Sequence, residues 1–107
     1  MQGVIELKIE IFVVTTELKE KLCSLNKLEE LKVELCKEFG GLTVIPNCKG
    51  YWMDNDKLIN DDVEIWTIYT NSEYGVYGKI NAYSLQIKAI CNQKTQLFAL
   101  DGHVYFI

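Results

Sequence analysis

The sequence predicts an α+β fold, an antiparallel sheet carrying two helices on one face, and three observations predict it. Apolar residues alternate with a period of two near the start, and the spacing changes to three and four from Glu17 to Phe39. The same change, from extended to helical and back, recurs in the second half. The chain has 107 residues, of which 49% are hydrophobic and 11% aromatic. That is one domain, 1–107, with enough apolar surface to offset the entropy of ordering it.

From Val4 to Val14 the residues Ile5, Leu7, Ile9, Ile11 and Val13 share one face, and Glu6, Lys8, Glu10 and Phe12 the other, the pattern of a half-buried strand. Leu18, Leu22, Leu25, Leu28, Leu31, Leu35 and Phe39 then recur at helical spacing, with Lys and Glu on the opposite face. Asn26 and Glu29 fit a capping box. It would split the segment into a short first turn and a main helix from about residue 27, with a continuous helix as the equal alternative.

Gly40-Gly41 follows the last periodic residue. Glycine there closes a helix in the left-handed conformation, whereas phosphate-cradling glycines stand at helix starts. The pair reads as a seam between helix and strand. Leu42 to Ile45 begins a second strand, which Pro46 makes an edge or a bulge, and which resumes at Gly50-Tyr51-Trp52-Met53. "DNDKLINDD" reads as a polar connection and "VEIWTIYT" as the third strand of a long hairpin. "NSEYGVYGK" reads as a loop, Ile80, Tyr83, Ile87 and Ile90 as a second helix ending near Gln93-Lys94. Asp101-Gly102 is a two-residue turn dividing the tail into two short strands, or one strand with a tight terminal hairpin. The order is βαββαβ with an optional extra C-terminal hairpin, the ferredoxin-like arrangement. Its uncovered sheet face would carry Glu6, Lys8, Glu10, Phe12 and Val14.

The run from Phe39 to Thr70 resembles a pattern in small ferredoxin-like proteins of phages and bacteria: Phe-Gly-Gly-x-Thr, then Gly-x-Trp, then an acidic residue before the next strand. Here these are Phe39, Gly40, Gly41, Thr43, Gly50, Trp52 and Asp62 or Glu64. The resemblance covers about a third of the chain and implies a fold rather than a reaction. Lys57 stands where that pattern has a turn glycine.

Composition narrows the function. Fifteen acidic against 11 basic residues give a net charge of −4, which argues against duplex nucleic acid as partner. The charged positions of "MQGVIELKIEIF" do not make a secretory signal, and the longest aliphatic or aromatic run, Ile11 to Val14, is far short of a membrane span. The expected setting is the cytoplasm, that of the host if the protein is phage-encoded. Cys23, Cys36, Cys48 and Cys91 lack metal-ligand spacing and read as buried free thiols, so neither metal nor cofactor is expected. The acidic run from Asp54 to Asp62 has Leu58 and Ile59 where a calcium loop needs an oxygen ligand and glycine, and reads as a solvated hairpin tip. His103, the single histidine, reads as an exposed strand residue, and no catalytic set is apparent.

Tyr51, Trp52, Trp66, Tyr74 and Tyr77 with Lys49 and Lys79 are the candidate ligand-binding residues. Rings stack on a base, and ammonium and loop N–H groups hold phosphates. The competing reading packs Trp52 and Trp66 on each other or on Gly50 as core or interface. The leading expectation is a non-enzymatic, phage-type protein that binds a small anionic ligand, a sponge for a nucleotide-derived defence signal. The alternative is an interaction module or inhibitor docking a macromolecule through the open sheet face or an edge strand. So aromatic a sheet also predicts a homodimer or higher homo-oligomer.

Overall fold

The computed structural model describes residues 7–71 and 74–107; the expected strand start from Val4 to Glu6, and Ser72 and Glu73 of the loop, lie outside the described residues. Strand β1 spans Leu7–Val14, helix α1 Leu22–Phe39, β2 Thr43–Asp54, β3 Lys57–Thr70, α2 Val76–Ile90, β4 Leu97–Leu100 and β5 His103–Phe106. The five-stranded sheet has the order β2-β3-β1-β4-β5 with every pair antiparallel. This is the ferredoxin-like βαββαβ arrangement, with β5 added as a C-terminal hairpin.

Ile9, Ile11 and Val13 are fully buried, and across the ladder lie Ile68, Trp66 and Glu64. Against this face pack Leu28, Leu31 and Leu35 of α1 and Val76, Ile80 and Ile87 of α2, so both helices cover the same side. The first helix neither begins at Glu17 nor breaks at Asn26. Thr16–Leu18 form a 3-10 turn that buries Leu18, and α1 runs from Leu22 through Asn26 without interruption. Leu22, at 70% exposure, is a first-turn residue outside the core despite its spacing. Gly40 closes α1 at φ 89°, its N–H donating to the Cys36 carbonyl at 2.8 Å, as its place in the sequence predicts.

The hairpin differs from expectation in extent. β2 is both an edge strand and bulged, its register with β3 shifting between Ile45 and Cys48, where Pro46 has no N–H to donate and Asn47 sits at φ 60°. The polar connection shrinks to Asn55-Asp56: Asp54 pairs with Lys57, Met53 with Leu58 and Trp52 with Ile59. Asn55 takes the positive φ, 57°, that a two-residue hairpin turn demands, so the acidic tip pairs as strand. The result is an arm that stretches the molecule to 51 × 31 × 23 Å and raises its radius of gyration to 14.5 Å. A compact chain of this length has about 13 Å.

The start of α2 is also earlier than its apolar spacing indicates: Tyr77, Gly78 and Lys79 are helical, and the helix ends at Ile90, ahead of Gln93. Asp101 and Gly102, at φ 49° and 84°, make the tight turn between β4 and β5. Asp101 also exchanges bonds with β1, its N–H donating to the Lys8 carbonyl and its Oδ1 accepting from the Lys8 N–H at 2.7 Å.

Candidate functional site

The structure divides the predicted ligand-binding residues among separate places. Lys49 and Tyr51 lie opposite Asp62 and Asn60, on the face of the hairpin that continues the helix side of the sheet. Trp52, one residue on, points to the other face. Its ring passes beside Gly50, where an added Cβ would stand 3.9 Å from Trp52 Cζ3 and 3.3 Å from Val63 Cγ2. Trp66, paired with Val44 and Ile11, is buried beneath α1, so the two tryptophans do not pack together. Tyr74 is 97% exposed ahead of α2. Tyr77 packs edge-on against Phe98 and Tyr105, with ring centroids 5.8 and 5.0 Å away. Lys79 is paired with Glu38 of α1 at 2.8 Å.

Lys49 is engaged in a charge pair at the surface. Its ammonium hydrogen-bonds Asp62 Oδ1 and is raised above its ordinary pKa by that bond; the Asp62 carboxyl is lowered by Lys49 first and then by Lys19. Thr16 Oγ1 donates to Asp61 Oδ1 and accepts from the Asp62 N–H, and the Thr15 N–H donates to the Asp62 carbonyl at 2.9 Å. The turn after β1 is thereby fastened to β3.

That fastening shapes a cavity of about 180 Å³ lined by Thr15, Leu18, Lys19, Leu25, Leu28, Glu29, Lys32 and Glu64. Its position follows from three elements: the 3-10 turn on one side, the first half of α1 on the other, and Glu64 from β3 beneath. Trp66 Nε1 donates to Glu64 Oε1 at 3.0 Å, so a half-buried carboxylate is oriented by a fully buried indole. Lys32 stands 5.5 Å from the Trp66 ring centroid and 2.6 Å from Glu29 Oε2. Burial, and secondarily the Glu64 charge, push the Cys91 thiol up to about 12. Cys91 is the single buried cysteine; Cys23 and Cys36 are exposed and Cys48 intermediate, which corrects the reading of all four as buried.

Of the residues around this cavity, the sequence offers Glu64 as a pattern residue, Leu18, Leu25 and Leu28 as apolar spacing and Glu29 as a capping-box residue, and none of them as a site. Glu29 and Lys32 look there like an i,i+3 pair on the solvated face of a helix, and Leu25 like part of its apolar stripe. No sequence signal distinguishes them, because the cavity exists only where the 3-10 turn meets β3.

No helix among the described residues covers the opposite sheet face. Phe12, Val14, Ile65, Tyr69, Leu97 and Phe106 fall on it by strand alternation, and Phe106 is 70% exposed. At the arm's end Met53 and Leu58 are each 60% exposed. No helix among the described residues is long and apolar enough to cross a membrane.

No family model matches the sequence, and no curated protein does. Solved structures do. A phage SAM lyase in complex with S-methyl-5'-thioadenosine is 15% identical, with 100% of this chain and 92% of that one covered at a TM-score of 0.71. The divalent cation tolerance protein CutA1 from Thermus thermophilus is 11% identical, with 96% and 82% covered at 0.56. CutA1 from Ehrlichia chaffeensis is 12% identical, with 92% and 81% covered at 0.56. At such identities the likeness is one of fold, and it extends over nearly the whole of this chain.

Proposed function

We propose that this protein binds a small adenosine-derived sulfonium of the S-adenosylmethionine class and removes it from the cytoplasmic pool. The observation that carries the proposal is the cavity over Glu64. Its Glu64 carboxylate, fixed by an indole N–H and set below the surface, can face a sulfonium, while Lys19 and Lys32 on the same lining can face the carboxylate that such a ligand also carries. The phage lyase, which shares this fold along its length, was solved in complex with S-methyl-5'-thioadenosine, the thioether left when such a sulfonium loses its amino-acid chain. Capture without turnover makes the protein a sponge for an adenosine-derived small molecule.

A second reading is cleavage, and the lyase fold favours it. A sulfonium carries its own leaving group: the S–C bond breaks with its electron pair passing to sulfur, and the ligand's own carboxylate closes on the carbon. Such a step asks the protein chiefly for orientation.

The protein acts as a homo-oligomer in either case. What supports this is the sheet face away from the helices, where Tyr69 and Phe106 are exposed and Phe12 is half-buried beside them. Calorimetric titration with S-adenosylmethionine, followed by chromatography of the mixture, tests the function. Saturable heat with the ligand recovered intact supports capture; conversion to methylthioadenosine supports cleavage. Absence of binding to both sulfonium and thioether would refute the proposal.

A further inference from the structure

We infer that the cavity between the 3-10 turn and α1 takes the zwitterionic α-amino-acid end of the ligand and leaves its adenosine outside; this rests on the function proposed above. Volume is the first reason. At about 180 Å³ the cavity is smaller than the roughly 300 Å³ at which pockets for whole drug-sized ligands begin, so it suits a short chain and not a nucleoside with its tail.

Charge is the second reason. Lys19 and Lys32 line the cavity with Glu29 and Glu64, while Leu18 and Leu28 supply an apolar middle. A phosphate would meet two carboxylates there, and a plain cation two ammonium groups. A group carrying both an ammonium and a carboxylate on a short methylene chain satisfies both signs and the apolar wall together.

Two of the polar groups, Glu64 and Lys32, are held in place before any ligand arrives. Glu64 is fixed by Trp66 Nε1, and Lys32 by Glu29 and the Trp66 ring. Lys19 is mostly exposed and paired with Asp62 Oδ2 at 3.3 Å, so it is the arm that exchanges this surface partner for the ligand carboxylate. The ligand carboxylate takes Lys32 and Lys19, and its ammonium takes Glu29. The sulfonium then lies toward Glu64.

The test uses the full chain and three probes: L-methionine, S-adenosylmethionine and 5'-methylthioadenosine. L-Methionine at millimolar concentration is expected to shift the methyl resonances of Leu18, Leu25 and Leu28. Lys32→Met, which keeps the apolar stem, is expected to weaken S-adenosylmethionine about tenfold or more and methylthioadenosine less than about twofold, since only the former has the carboxylate. Unshifted leucine methyls, or equal loss of both adenosine ligands in Lys32→Met, would overturn the inference while leaving the proposed function intact. Failure of S-adenosylmethionine and methylthioadenosine to bind, with the methyl shifts still produced by L-methionine, would instead support the amino-acid cavity and remove the proposed adenosine ligand. Glu29→Gln serves as the second variant should Lys32→Met fail to fold, with the same discrimination expected from loss of the ammonium partner.

Discussion

Trp66 and Glu64 stand two residues apart on β3, on the same face, and the indole Nε1–H of the first donates to Oε1 of the second at 3.0 Å. A core residue thus orients a carboxylate that lines the cavity. Glu64→Gln preserves size and removes the charge, so affinity for S-adenosylmethionine is expected to fall about tenfold or more with little change in stability. Trp66→Phe removes the donor and part of a buried side chain, and is expected to cost about 1–3 kcal/mol in stability as well. Titration calorimetry and urea unfolding separate the two effects. Undiminished affinity in Glu64→Gln would take this carboxylate out of the site.

Cys91 supplies a pH-dependent prediction. Its thiol is pushed from an ordinary 9.0 up to about 12. The folded state therefore keeps a proton that the unfolded state releases, and the stabilisation, complete below about pH 9, is lost as pH rises toward 12. The slope is at most about 1.4 kcal/mol per pH unit. Other groups titrate in this range, so the measure is the difference between wild type and Cys91→Ala in urea unfolding at about pH 8 and about pH 10.5. Wild type should lose more stability than the variant over that interval. In the native protein, a thiol reagent should modify Cys23 and Cys36 promptly and Cys91 only on unfolding.

Gly40 predicts a contrast with its neighbour. At φ 89° an L side chain is strained whatever the space around it, so Gly40→Ala is expected to destabilise by about 1–2 kcal/mol. Gly41 has no positive φ and nothing within 4 Å of an added Cβ, so Gly41→Ala should stay within about 0.5 kcal/mol of wild type. Thermal unfolding of both variants decides it, and equal effects would contradict the assignment of the helix cap.

These contrasts show what one-dimensional pattern carries. Strand β1 and the closure at Gly40 were legible because local sterics and period-two burial decide them without tertiary help. The β2–β3 turn was not: Asp and Asn are poor strand formers, yet pairing across Asn55-Asp56 draws the whole polar run into the arm. Lys79 and Tyr77 read as loop because their glycines are, in isolation, helix breakers, while packing of Val76 and Ile80 holds the first turn of α2. The cavity depends on long-range contacts from Thr15 and Thr16 to Asp61 and Asp62, a relation that sequence spacing cannot express.

The uncovered face makes the last prediction. Phe106 on β5 and Tyr69 on β3 are 70% and 58% exposed, on the side of the sheet away from the helices. Burying a side chain of this size against a second copy stabilises association by about 1.5–3 kcal/mol, less the cost of ordering it. Both positions already face water in the protomer, so charging them should leave the fold intact while opposing contact with an apolar partner. The double variant Phe106→Asp with Tyr69→Lys is therefore expected to sediment as a monomer where wild type sediments as an oligomer, with the two unfolding at similar urea concentrations once protein concentration is matched below the association range. A wild-type protein that remained monomeric at high concentration would show that this face is tolerated in water or covered by a different molecule, and would remove the homo-oligomer from the proposed function.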